Sequence, residues 1–217
     1  MVVKKFYKKT GMYTDWAQLK RLPQIDTLID IGVGPTGTVD LYKRFKKAKL
    51  ILIDPLEEAK KYSEKLKKKR KLVFFQYAVG KNNDVKLEMK IQKKLGLSSL
   101  LKISKLNIQE KVIRRDIVTI KKLDTVIKEK KKLKRIGIKI DTEGYEFDVI
   151  LGASKVLKST KFVIAEVRHN HESLKNVYKL YEFIDLMNQN NFILTMILSA
   201  KPFIADLCFQ PKKDLIK

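Results

Sequence analysis

Apolar residues along this chain gather into short runs, and the charged stretches between the runs carry apolar positions at helical spacing. Leu28 to Ile31, Leu50 to Ile53 and Leu72 to Tyr77 have the length and the aliphatic or aromatic content of buried strands. Between them, Val39 to Lys47 sets Val39, Leu41, Tyr42 and Phe45 near one helical face, and Glu57 to Lys69 reads as a second helix. Strands alternating with helices of this size predict a parallel sheet with helical crossovers. Further on, a KNND turn at 81 to 84 leads into Val85 to Ile91, which alternates apolar and polar residues like a half-exposed strand. Gly96 to Ser104 reads as a loop, the chain runs on through Val112 to Val118, and Leu123 to Lys130 reads as a short amphipathic helix. Strands are expected at Ile136 to Ile140 and Phe162 to Val167, with a helix from Tyr145 to Leu151 between them. Leu174, Val177, Tyr178, Tyr181, Ile184 and Met187 predict an amphipathic helix from Glu172 to Asn190. Phe192 to Leu198 and Phe203 to Phe209 then suit a hairpin at the sheet edge. With no repeat or linker, the expectation is one α/β domain over residues 25–217. Residues 1–24, with Phe6, Tyr7, Tyr13 and Trp16 among lysines, form an N-terminal extension packed on it.

Composition changes this picture in one respect, which is charge. The chain carries 48 Lys and Arg against 24 Asp and Glu, a formal net charge of +24. Such a charge permits attraction to nucleic acid, anionic glycans or membrane surfaces. Seven of the 48 basic residues are Arg and the remaining lysines are spread along the chain, whereas recognition of phosphates and base edges favours Arg. Solvated lysine-rich faces are therefore the first reading, and a nucleic-acid partner is the less favoured one. No run of about 18 apolar residues occurs, so no membrane span is expected. The N-terminal MVVKKFYKKTGMYTDW is basic without the apolar core of a signal peptide, which predicts a cytoplasmic protein. Cys208 lies in the apolar stretch ALCF, so a buried inert thiol is expected rather than a disulfide or a cysteine metal site.

The stretch with the clearest chemistry is Leu28 to Thr38, LIDIGVGPTGT, in which an apolar run holding Asp30 passes into Gly32, Gly34 and Gly37. A strand, tight turn and helix start of this kind forms either a nucleoside-cofactor corner or a bare corner with nothing bound. A diphosphate seated on helix N-terminal N–H groups is repelled by a neighbouring carboxylate and loses a donor to proline. Asp30 and Pro35 thus favour S-adenosylmethionine, a cofactor with an ammonium, a sulfonium and no phosphate. Asp54 follows Gly34 by twenty residues, at the end of the next strand. A carboxylate there is placed to accept hydrogen bonds from ribose hydroxyls, and with Pro55 behind it also suits a helix N-cap.

Later, Lys139 and Asp141 share one face of a strand whose other face carries Ile136, Ile138 and Ile140. A lysine and an aspartate inside a sheet are costly unless they pair with each other or face a polar cleft. Asp141 stands at the carboxyl end of its strand, where open α/β sheets bind ligands. Thr142-Glu143-Gly144 then turns into a helix, so capping is an open alternative for Asp141 and Thr142. Glu166 ends the next strand and is followed by Arg168, His169, Asn170 and His171. If the two strands are neighbours, Asp141, Glu166 and the histidines meet at one edge; a surface loop is the alternative for either histidine.

From Leu28 to about Val167, these pieces in this order resemble the FkbM-type methyltransferases, a class I family that uses S-adenosylmethionine. The resemblance rests on LIDIGVGPTG, LILIDP, YAVG with its following hairpin, SSLL and KKLDTVI, and above all on KIDTEGYEFDVILGA followed by FVIAEV. Asp54 in place of the family's usual Glu and Pro35 in place of a small polar residue are departures. The resemblance implies a three-layer, Rossmann-like α/β fold with a mostly parallel seven-stranded sheet and one antiparallel edge strand. It implies O-methylation of a hydroxyl on a sugar, glycan or small metabolite. It places Asp30, Gly32 and Gly34, in a turn closed by Gly37, around the methionine; Asp54 and Pro55 at the ribose; Tyr77 and Ala78 at the adenine; and Ser99 at the pocket's edge. In-line methyl transfer to a hydroxyl needs alignment and removal of a proton. Asp141 is the leading candidate for that base, with Glu143, Glu166 and His169 in support. A divalent ion on Asp141 and Glu166 is a minor variant, since the sequence has no dedicated metal motif. Two rivals remain: an RNA 2′-O-methyltransferase, with lysines gathered beside the cofactor cleft, and a basic nucleic-acid-binding protein whose cofactor fold is vestigial.

Overall fold

The computed structural model describes residues 13–101, 112–128, 133–169 and 177–215. The chain opens with β1 (Tyr13–Thr14) and then alternates β2 (Thr27–Ile31), α1 (Val39–Arg44), β3 (Lys49–Ile53), α2 (Glu57–Lys67) and β4 (Leu72–Phe75). A small second sheet follows, made of β5 (Ala78–Val79), β6 (Val85–Gln92) and β7 (Val112–Lys121). The chain returns through α3 (Leu123–Ile127), β8 (Ile136–Ile140), α4 (Glu146–Leu151), α5 (Ser154–Leu157) and β9 (Thr160–Arg168). It ends with α6 (Leu180–Gln189), β10 (Phe192–Ala200) and β11 (Ile204–Pro211).

The main sheet runs β1-β10-β11-β9-β8-β2-β3-β4. From β9 to β4 every pairing is parallel, while β11 runs antiparallel to both β9 and β10. This is a mostly parallel sheet of seven long strands with its reversed strand in the edge region, extended by the two-residue β1. Strand pleating divides the interior into two cores. Ile29, Ile31, Ile51, Ile53, Ile138 and Ile140 face α3 to α6, and Leu28, Leu50, Leu52 and Ile164 face α1 and α2. Cys208 is buried in the second core, and burial pushes its thiol up to about 12. No helix among the described residues is long and apolar enough to cross a membrane.

The helix expected from Glu172 begins instead at Leu180, and residues 170–176 lie outside the described ones. Two competing bonds explain the later start. The Lys179 N–H donates to the Glu182 carboxylate at 2.6 Å, an N-terminal cap, and the Tyr178 hydroxyl donates to Glu146 at 2.6 Å. Tyr178 therefore docks by its ring between Phe147 and Phe183 instead of turning with the helix.

Arginines tie the first crossover down. Arg70 donates to the carbonyls of Tyr42, Phe45 and Ala48 at 2.6–2.8 Å, gathering the oxygens where α1 ends. Arg44 does the same for Leu19 and Leu22 at 3.1 Å, holding the 3-10 turn Trp16–Arg21 against α1. Arg70→Ala is expected to cost about 2 kcal/mol in urea unfolding, because three carbonyls lose a charged donor. Arg70→Lys should recover only part of that loss, since one ammonium cannot reproduce the planar fork.

Candidate active site

The glycine corner is built around two opposite constraints. Gly32 has φ +81°, and a Cβ there would collide with the carbonyl of Asp141, so the ends of β2 and β8 approach as closely as backbone allows. Gly34, at φ +57°, has nothing within 4 Å of where its Cβ would be, because that direction opens into a cavity. Asp30 is fully buried beneath the turn and does not line the cavity. Its Oδ2 accepts the Tyr42 hydroxyl at 2.5 Å and the Thr38 N–H at 3.4 Å, while Oδ1 has no hydrogen-bond partner among the described residues. Burial raises the Asp30 carboxyl to about 6, against the pull of the Tyr42 hydroxyl. Asp30 thus holds the loop from below.

Asp54 comes from the end of β3 and faces the cavity. Its Oδ2 accepts the Gly34 N–H at 2.9 Å and Oδ1 the Leu56 N–H at 2.8 Å, so it ties the glycine turn to the start of α2. Burial raises this carboxyl also to about 6, with the two N–H donors acting the other way. Each of its oxygens keeps a lone pair for a ribose hydroxyl. Pro55, Tyr77 and Ala78 continue the wall, and Met89, Leu95, Ser98 and Leu100 close it from the β6 side. Ser99 is buried and turned from the cavity: its hydroxyl donates to the Glu143 carbonyl at 2.8 Å, and Ser98 takes the lining position.

At the other wall, β8 and β9 pair in parallel and bring acids together. Lys139, buried, lies 3.3 Å from both Asp141 and Asp206. Register sets Asp30 opposite Lys139 and Asp206 opposite Glu166, so one ammonium serves carboxylates from four strands. Desolvation alone would lower the Lys139 pKa; the carboxylates of Asp141, Asp206, Glu166 and Asp30 outweigh it and raise it. Burial, reinforced by Asp141, raises Glu166 to about 7. Glu143 sits at φ +52°, ion-paired with Arg168; burial raises it to about 8 although Arg168 works against the shift. Asp141, Glu143 and Glu166 bring carboxylate oxygens within 4.8 Å of one another, a set that could take a cation, but Lys139 and Arg168 already oppose that charge.

The structure therefore gathers Gly32, Gly34, Gly37, Asp54, Pro55, Tyr77, Ala78, Asp141 and Glu143 around one cavity. Glu166 stands behind Asp141 rather than on the lining, and His169 is exposed, with its Nε2 2.9 Å from the Lys201 carbonyl. His171 lies outside the described residues. Sequence reasoning passed over Glu146, which is fully buried and accepts the Thr142 N–H and hydroxyl and the Gly144 N–H, each at 3.0 Å. That carboxylate, not Asp141 or Thr142, caps the turn into α4. Its four-residue spacing from Thr142 was the available signal. The sequence pattern presents Tyr42 only as an apolar helix position and Tyr145 only as a helix start.

One feature of the lining decides the ligand. In a chain with 48 basic residues, no Lys or Arg lines the cavity among the described residues, whereas Asp54, Asp141 and Glu143 do. Such a wall disfavours a diphosphate and suits a cationic cofactor. Residues 30–194 match the model of the methyltransferase FkbM domain. The chain belongs to the FkbM methyltransferase family. No curated protein matches it in sequence. Its fold is similar to that of a candidate S-adenosylmethionine dependent methyltransferase from Listeria monocytogenes, at 10% identity and a TM-score of 0.50, covering 90% of this chain and 97% of that one. It is also similar to a precorrin-6y C5,15-methyltransferase from Geobacter metallireducens GS-15, at 8% identity and a TM-score of 0.49, covering 90% of this chain and 85% of that one. The cofactor of this methyltransferase is S-adenosylmethionine, and the open direction at Gly34 and the spare lone pairs of Asp54 fit it.

The buried carboxyls give the methyltransferase a pH signature. Glu166 binds its proton more tightly in the folded state, so its contribution is present below its ordinary value and is lost as pH rises through about 7. Glu166→Gln should therefore gain stability over wild type on going from about pH 5 to about pH 8, by on the order of 2 kcal/mol in urea unfolding at the two pH values. A difference that stays constant would contradict the burial-driven shift.

Proposed function

We propose that this methyltransferase transfers its methyl to a hydroxyl of a sugar, glycan or small metabolite. The observation that supports this reading is the acidic cavity wall, free of Lys and Arg among the described residues, with Asp141 on it, its side chain 34% exposed and paired with Lys139. When bound, S-adenosylmethionine supplies a methyl group on a cationic sulfur. A hydroxyl is a weak nucleophile, and Asp141 accepts its proton during attack. Lys139 pairs with Asp141 and fixes its direction, and Glu143 with Arg168 forms the adjoining wall. Tyr145, Leu95 and Leu100 keep water from the reacting line. Asp54 and Pro55 take the ribose side, Tyr77 and Ala78 the adenine side, and Gly32, Gly34 and Gly37 admit the methionine part. A phosphate-rich acceptor meets no Lys or Arg on this wall among the described residues, which weighs against RNA 2′-O-methylation.

The test pairs S-adenosylhomocysteine calorimetry with product mass spectrometry over hydroxylated, aminated and RNA acceptors. Methylation confined to amines or to RNA would refute the assignment. Asp141→Asn should bind S-adenosylhomocysteine as wild type does and lose about a hundredfold or more in turnover. Unchanged turnover would remove Asp141 from the reaction.

A further inference from the structure

Lysines line the end of the sheet opposite the cavity. Thr27, Lys49, Ile136 and Thr160 pair across β2, β3, β8 and β9, and Leu72 starts one register step on, so the lower ends of five strands finish nearly level. The turns entering those strands carry Lys46, Lys47, Lys68, Lys69, Lys71 and Lys158, all exposed and none in an ion pair among the described residues. Two acids at this edge, Asp26 and Asp214, are each already paired, with Arg135 and Lys161. The antiparallel β11 ends at the same level, adding Lys213. Beside it, Leu215 is 43% exposed, with Ile193 and Leu194 exposed at the start of β10.

We propose that this level, lysine-covered base is a docking surface for an anionic lipid bilayer. The side chains present distinguish that partner from nucleic acid. Six of the seven arginines (Arg44, Arg70, Arg114, Arg115, Arg135 and Arg168) are bonded within the protein. The strongly exposed aromatics among the described residues, Tyr181 and Phe203, lie at the cavity end, so the described part of the base offers no platform on which bases could stack. Ammonium groups beside exposed aliphatic side chains instead match acidic headgroups over acyl chains. The charge asymmetry fixes orientation: among the described residues the cavity wall has no Lys or Arg and the base has many, so the base faces the bilayer. One strand length, about 17 Å for the five residues of β3, then separates the bilayer side from the cavity, which opens away from it.

Flotation of the full chain with phosphatidylcholine vesicles, with and without phosphatidylserine, tests this. Wild type should bind the phosphatidylserine vesicles alone and release as salt rises from about 0.1 to about 0.5 M. Lys47→Glu/Lys68→Glu/Lys158→Glu should bind at least about tenfold more weakly. Lys86→Glu/Lys93→Glu/Lys94→Glu, which changes net charge equally at exposed positions on and after β6, should bind as wild type does. Glutamine at the three basal positions should give an intermediate loss, and a thermal shift with S-adenosylhomocysteine reports that each variant is folded. Equal loss in both charge-reversal variants, no binding to phosphatidylserine vesicles, or preference for an RNA oligonucleotide at equal phosphate concentration would each overturn the proposal.

Discussion

One ammonium buried at the centre of the sheet conditions most of what surrounds the cavity. Lys139 lies 3.3 Å from Asp141 and from Asp206 and also feels Glu166 and Asp30, so a single positive charge is shared among four acids. Removing such a charge from water is costly and is offset only where opposite charges are close. The acids in turn exceed what one lysine can neutralise. Burial, with that excess of acids behind it, raises Asp30 to about 6 and Glu166 to about 7. Asp141 differs from Asp30, Glu166 and Asp206 in facing the cavity.

Around this cluster the fold separates its charges along the strand direction. Acids gather where the parallel strands end and lysines where they begin, and the arginines are spent on carbonyls and carboxylates inside the protein. The strand-end location follows from helix and loop geometry common to open α/β sheets, which leaves a crevice at the carboxyl edge. In this chain the crevice is also lined, among the described residues, by Asp54, Asp141 and Glu143 and by no Lys or Arg. A cationic cofactor and a polyanionic surface can then be engaged at opposite ends without competing.

The glycine turn shows how local conformation and packing divide the work. Gly32 lets two strand ends meet, whereas Gly34 leaves room for a ligand, although both carry positive φ. Asp54 then joins the turn to α2 through the N–H groups of Gly34 and Leu56. The corner is thereby stiff before any ligand arrives, a condition that in-line transfer requires.

By itself the sequence determined the alternation of strands and helices, the terminal hairpin, the glycine turn and the acids at strand ends. Each of these depends on local periodicity or on spacing within a few tens of residues. What only the tertiary structure decided is which side chains face the cavity. Asp30 and Ser99 belong to motifs that suggest a ligand, yet Tyr42 and the Glu143 carbonyl claim them from elements twelve and forty-four residues away. Val177 and Tyr178 continue a helical pattern, yet Glu146 takes the Tyr178 hydroxyl and the helix starts later. His169 is one residue from the acid cluster's arginine, but the β10–β11 turn draws it outward. A hydrogen-bonding side chain has several chemically equivalent partners along a chain, and the packed sheet alone settles which of them is within reach.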